Sequence, residues 1–320
     1  MVIEKHSIQS IPVNPDATKE AKELLQYLVS QAGNHLLTGQ HTQTNPMEEY
    51  HYLHEVTGHY PKVVGFELLA YSPNINEEDA GEACLTEVRE NRGTLDTALQ
   101  LAKEKDVILT FSFHWFSPLG GRDKSFYTEY TDFDPDRILQ EGTPERQAFY
   151  HDLDVIAEQL QRFQEENIPI LWRPFHEAEG TWFWWGSKGG ETAAALYRMM
   201  YHYFVEVKKL HHLLWVCSTP TKEGYPGDEY VDVIGWDIYL PQKEATDYES
   251  YYEKLRENTT RNKVAALTEV GYDPDIDLLI QSHIPWAYYM TWSKEFAMDG
   301  VYNTKDELCR LYDNSYTVKL

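Results

Sequence analysis

A (β/α)8 barrel of the α/β class is the fold this sequence predicts, and three observations predict it. Eight short apolar runs alternate with helix-like stretches through the 320 residues, as a chain of β/α units requires. The ends of those runs repeatedly carry His, Arg, Asp, Glu or Trp, which is expected where parallel strands deliver side chains to one face. No run is followed by a glycine-rich nucleotide turn, and this removes the doubly wound open sheet as the main competitor. No low-complexity linker divides the chain, so the reading is a single domain over 1–320, with 1–15 as an N-terminal extension.

The elements follow in order. Residues 16–31 read as a helix with Asp16 as N-cap after Pro15 and Gly33 just beyond its end. His35–His41 is the first strand, ending in polar residues, and a helical stretch runs from Pro46 to Thr57. Val63–Ala70 is the second strand, closed by Ser72-Pro73-Asn74. The segment 71–92 reads as loop. Residues 93–105 form a helix with Leu95, Leu99 and Ala102 at spacings of four and three. Val107–Trp115 is the third strand and ends in His114-Trp115. The segment 116–143 is long and irregular but rich in aromatics, which argues for a functional loop. An amphipathic helix over 144–166 leads to the fourth strand from Ile168, and a helix follows over 191–209. Leu213–Ser218, Val231–Tyr239 and Lys263–Gly271 are strands five to seven, with a helix at 248–258 between the last two. A helix at 274–282, the strand Trp286–Trp292 and a helix at 304–312 complete the chain.

Charge narrows the partners. With 52 acidic against 28 basic residues, a net of −24, nucleic acid and anionic membrane surfaces are disfavoured because phosphates are repelled. A neutral ligand carries no such penalty. The chain holds 23 Tyr and 9 Trp, more than a core needs, which points to a stacking surface. Cys84, Cys217 and Cys309 show neither disulfide nor zinc spacing. No run of 18 apolar residues suggests a membrane span. His51, His54, Glu55 and His59 imitate a zinc-protease motif, but His54 and His59 are five apart where four is required, so no metal and no cofactor are expected.

The chemistry concentrates at the fourth and seventh strand ends. Arg173-Pro-Phe-His176-Glu177 is followed by Trp182-Phe-Trp-Trp185, and Glu269 closes Leu267-Thr-Glu269-Val-Gly271. Strands four and seven face each other across a barrel mouth, so these two carboxylates, remote in sequence, can meet over one bond. Retaining glycosidases place such a pair about 5–5.5 Å apart. A metal held between them is the competing reading. Arg173 is suited to hold one carboxylate ionised, while a tryptophan-rich loop desolvates the other and favours its acid form. For Arg173 the alternative is a salt bridge closing the mouth; for Asp237, an ion pair; for Tyr239, core filling. Glu67 reads as an ion pair, Glu179 as cleft rim and Trp185 as packing, with Trp115 open between packing and ligand.

These two motifs, with the order of strands and helices from about 16 to 315, resemble glycoside hydrolase family 26, best known for endo-β-1,4-mannanases. The resemblance implies Glu177 as acid/base and Glu269 as nucleophile. It also implies His114 and His176 as contacts to sugar hydroxyls, Tyr239 as the residue orienting the nucleophile, and Trp182 and Trp292 as platforms for the sugars flanking the cleaved bond. With Arg173 and Asp237, these residues make up the expected substrate-binding set. The expected partner is β-mannan or a related polysaccharide or oligosaccharide met by a monomer. Relatives cleaving β-1,3-1,4-glucan or β-1,3-xylan, or releasing disaccharide from chain ends, leave the glycan and the endo mode open. A non-catalytic sugar-binding barrel is disfavoured by the presence of both glutamates. Polysaccharide substrates imply secretion or surface display; Met1–His6 carries no basic-then-apolar leader, which equally suits a cytoplasmic enzyme acting on imported oligosaccharides.

Overall fold

The computed structural model describes residues 8–320. Eight parallel strands close into a barrel: β1 (Leu36–Leu37 and, past Thr38, Gly39–Thr42), β2 (Val63–Glu67), β3 (Ile108–Ser112), β4 (Ile170–Arg173), β5 (Leu213–Cys217), β6 (Val233–Ile238), β7 (Val264–Val270) and β8 (Trp286–Thr291). Closure is made where Leu37 and Gln40 of β1 meet Tyr288 and Thr291 of β8. A short β9 (Thr317–Val318) runs parallel to Leu36–Leu37. The helices are α1 (Lys19–Gln31), α2 (Glu48–Thr57), α3 (Glu82–Asn91), α4 (Thr94–Glu104), α5 (Pro144–Glu165), α6 (Gly190–His202), α7 (Glu249–Glu257), α8 (Ile276–Ser282), the single turn α9 (Glu295–Met298) and α10 (Lys305–Asp313).

The strands are apolar runs because both of their faces are covered. One face, including Val64, Phe111, Trp172, Trp215 and Leu267, packs with the surrounding helices. The other turns inward and sorts by height. Leu37, Val63, Ile108, Val233 and Val264, at or near the strand starts, pack with Leu24, Leu25 and Leu28 of α1, so α1 closes the N-terminal end. Two residues on stand small side chains: Gly39, Gly65, Thr110, Gly235 and Ala266. Two further on come His41, Glu67, Ser112, Asp237 and Thr268. The small layer makes room for the polar one. A Cβ at Gly65 would lie 2.1 Å from the His41 Nδ1, and one at Gly235 would lie 2.3 Å from the Thr268 Cγ2.

One irregularity positions the seventh strand end. Trp236 pairs with Leu267, but the next pair is Asp237 with Glu269. Strict alternation from Thr268 would turn Glu269 outward toward the helices. The one-residue step sets it level with Asp237, as bulges re-aim side chains beside active sites.

Local differences from the sequence reading have physical causes. Thr18, not Asp16, caps α1: its Oγ1 accepts from Ala21 N at 3.2 Å, while the Asp16 N–H donates to Asn14 Oδ1. The segment read as loop over 71–92 contains α3, whose buried face is only Cys84, Val88 and Asn91, too thin a stripe to stand out among charges. The helix read over 191–209 leaves α-geometry at His202 and continues as a π-turn over Tyr203–Val207. Of the expected extension 1–15, residues 1–7 lie outside the described residues. Val13 is tied in by its N–H to Asp232 Oδ1 (2.7 Å) and by the Tyr201 hydroxyl on its carbonyl (3.1 Å).

Candidate active site

The site begins in the turn after β4. Phe175 and Glu177 both adopt left-handed backbone, φ 51° and 54°, a region that side-chain-bearing residues rarely enter and that costs of order 1 kcal/mol or more each. The turn is held by the Trp185 indole N–H on the His176 carbonyl (2.8 Å) and by Gly180 N on the Glu177 carbonyl (3.1 Å). Beneath it lies Arg173, fully buried. Its Nη1 donates to Asp237 Oδ2 and its Nη2 to Glu269 Oε2, both at 2.7 Å. The Tyr239 hydroxyl donates to the other oxygen of Glu269; its ring stays 41% exposed at the mouth.

Glu177 has different company. Its carboxyl accepts the Trp182 indole N–H at 2.7 Å and meets no cation at ion-pair distance among the described residues. Burial, then the nearby Asp237, pushes it up to about 7. Burial and Asp237 likewise raise Glu179 to about 7. Burial also pushes Glu269 and Asp237 upward, and in both cases Arg173 is the largest influence holding them down. Burial opposes the Arg173 charge too, but Asp237 and Glu269 overcome it and keep the guanidinium protonated. Glu177, Asp237 and Glu269 therefore titrate as one interacting set. Within that set Asp237 and Glu269 share the Arg173 guanidinium, which favours their charged forms, whereas the partner of Glu177 is a neutral indole.

A second network flanks the pair. Glu67 accepts from the Ser112 hydroxyl (2.7 Å), the His114 backbone N–H (2.6 Å) and the His114 Nδ1 (2.9 Å). Burial opposes its charge, yet His114 holds it below the usual carboxylate range. The Nε2 atoms of His114 and His176 share a hydrogen bond of 3.3 Å. Burial, with His114 and Arg173, keeps His176 well below the usual imidazole range. A cavity of about 330 Å³ runs over these groups, lined by Glu177, Glu269, His114, Tyr239 and Trp292 and, beyond them, by Phe126, Tyr127, Lys124 and Lys294. Two carboxyls facing one cavity, one bonded to a guanidinium and the other to a neutral indole, are an arrangement suited to acid-assisted displacement at an acetal carbon.

The sequence profile of glycosyl hydrolase family 26 matches residues 13–320. The chain belongs to this family. Its relatives include a mannan endo-1,4-β-mannosidase of Thermothelomyces thermophilus, 32% identical over 99% of this chain and 64% of that protein. Another, of Bacillus subtilis (strain 168), is 29% identical over 92% of the chain and 84% of the protein. Against the first of these relatives and the Piromyces enzymes A and B, the chain spans about half to two thirds of their length. Among solved structures, the Podospora anserina GH26-CBM35 β-(1,4)-mannanase superposes with a TM-score of 0.87 at 30% identity, covering 98% of this chain and 69% of that one. A β-mannanase from a symbiotic protist of the termite Reticulitermes speratus, complexed with gluco-manno-oligosaccharide, gives 0.86 at 29% identity, covering 98% and 97%.

The structure brings Arg173, His176, Glu177, His114, Asp237, Tyr239, Glu269 and Trp292 to this one face of the family 26 barrel, with Trp182 beside Glu177. Four of them do not line the cavity, Trp182 because it stands at the surface beside it, 46% exposed. The side chains of Arg173, His176 and Asp237 are buried beneath the cavity: Arg173 bonds the carboxylate it was expected to hold, Glu269, Asp237 bonds Arg173, and His176, expected at a sugar hydroxyl, bonds His114. Asp237 is the ion-pair partner its alternative reading proposed. Glu179, read as cleft rim, is partly buried and near Asp237. Trp115 and Trp185 are packed, each 1% exposed. The cavity wall formed by Lys124, Lys294 and α3 was missed. Lys124 bonds Glu87 (2.5 Å) and Lys294 bonds Glu90 (2.6 Å). The only sequence signal for it was the aromatic richness of 116–143, whose backbone is stitched to the tryptophan loop by Thr128 N on Trp182 O (2.7 Å) and Trp184 N on Phe126 O (3.1 Å).

Proposed function

We propose that this chain is an endo-acting hydrolase of β-1,4-mannosidic linkages that retains anomeric configuration, with Glu269 as nucleophile and Glu177 as acid/base. The observation that carries the reading is the unequal treatment of the two carboxyls: Glu269 lies on Arg173 and the Tyr239 hydroxyl, while Glu177 faces the same cavity with only the Trp182 indole N–H as its partner. The names of the relatives supply the substrate class.

In the first step a Glu269 oxygen bonds to the anomeric carbon as the bond to the leaving sugar breaks, and Glu177 gives its proton to the departing oxygen. In the second step the Glu177 carboxylate takes a proton from water, whose oxygen bonds to the anomeric carbon as Glu269 leaves. Arg173 holds the charge on Glu269 before attack and after release. The chain's own residues supply each proton and the nucleophile, so the scheme calls for no cofactor.

The test is hydrolysis of mannan, galactomannan, glucomannan, lichenan and β-1,3-xylan with product sizing over time. Fast shortening of mannan with a spread of oligosaccharides is expected. Disaccharide as the sole early product overturns the endo mode, and preference for lichenan or xylan overturns the substrate. Glu177→Ala should lose polymer cleavage yet still release the leaving group of activated aryl glycosides, because they need no acid.

A further inference from the structure

The indoles of the aromatic wall have settled partners, with one exception. Trp115 donates to the buried Asp152, Trp184 to the Trp115 carbonyl and Trp185 to the His176 carbonyl. Trp182 is 46% exposed, and its N–H donates to Glu177 itself at 2.7 Å. Its ring rests on Gly180, where a Cβ would come within 2.0 Å of the ring. Other charged or titratable groups near Glu177 come from several elements. They are Arg173 at the end of β4, Asp237 of β6 and Tyr239 beyond it, Glu269 of β7, Glu179 on the same loop and Tyr127 from the 116–143 segment. Among the described residues no other side chain donates a hydrogen bond to the Glu177 carboxyl.

We propose that Trp182, besides offering a face to a sugar, controls the proton on Glu177: its indole N–H favours the carboxylate needed in the second step and is drawn away in the first. This rests on the reading of Glu177 as acid/base. An indole N–H only donates, so it bonds a carboxylate more strongly than a neutral acid. In the first step Glu177 must keep its proton until the glycosidic oxygen takes it, and a fixed donor works against that. In the second step Glu177 must be the carboxylate that removes a proton from water, and the same donor helps. The exposed ring, seated on a glycine, can shift when the leaving sugar stacks on it and return when that sugar departs.

Trp182→Phe keeps the ring and removes the N–H. Two measurements read the effect: the pH dependence of kcat/KM, and burst against steady-state rates on an aryl β-mannobioside with a good leaving group. The basic limb of kcat/KM should move up by about one pH unit. Steady-state kcat, limited by the second step, should fall about tenfold with the burst rate preserved. Gly180→Ala, which displaces the ring without removing the indole, should move the basic limb the same way. Superposable pH profiles, with only KM raised, overturn the proposal and leave Trp182 a platform. Equal losses in burst and steady-state rates overturn it as well. If Glu177→Ala still cleaves polymer at the wild-type rate, the acid/base reading itself fails. If that variant is inactive and the Trp182→Phe profile is unmoved, only the present inference fails.

Discussion

Glu269 and Glu177 are the same functional group lining one cavity, and nearly everything around them differs. Glu269 belongs to a strand, is set inward by a register step, and is held on two sides by Arg173 and Tyr239. Glu177 belongs to a turn with left-handed backbone and touches one indole N–H. Burial and the neighbouring carboxyls push both toward the neutral form; what differs is the partner, a guanidinium shared with Asp237 for Glu269 and an indole for Glu177. The lesson is that two identical carboxyls facing one cavity are given different company by where one cation is placed.

That comparison can be broken most severely by removing the charged member. Glu269→Ala should lower kcat by about ten-thousandfold or more, measured on mannan, while oligosaccharide binding persists in calorimetry. Arg173→Met should come next. It strands two buried carboxyls without their cation, which costs about 3–5 kcal/mol, read by denaturant unfolding; the basic limb of any remaining activity should change as Glu269 competes for the proton. Tyr239→Phe keeps the cation and removes one hydrogen bond to Glu269, so kcat should fall about tenfold or more with little change in the unfolding midpoint.

The pH dependence of stability sharpens the other side. Burial raises Glu177 from its ordinary value of 4.5 to about 7 in the folded protein, so the native state binds its proton more tightly than the unfolded chain does. Its favourable contribution is complete below about 4.5 and is lost as pH rises through about 7. Glu177→Gln should flatten the fall in Tm across that window. The smallest effect is expected at the cleft wall. Glu90→Gln breaks the half-exposed pair with Lys294 and should change stability by less than about 1 kcal/mol.

Eight strands were legible because double burial makes each a nearly continuous apolar run, and the run before Arg173 announces itself by ending in charge. The motif residues at 173–177 and 269 were legible as chemistry. Their support was not. The step that pairs Asp237 with Glu269 is a property of two strands together, and no local pattern encodes it. The ion pairs from Arg173 join residues 64 and 96 positions away. Helix α3 escaped because most of its side chains are charged or polar and its buried face is one thin line, and the Thr18 cap was hidden by an equally plausible Asp16 two residues earlier.

The layer of small residues across the middle of the barrel makes the cleft vulnerable from below. At Gly235 an added methyl meets Thr268, the immediate neighbour of Glu269, and at Gly65 it meets His41. A random library would record alanine there as inactivating, although no group facing the cavity had changed. Such positions would pass for catalytic in a scan read without coordinates. The same property offers an engineer a dial: graded bulk at one buried point, turning the charge cluster above it by tenths of an ångström without altering any of its atoms.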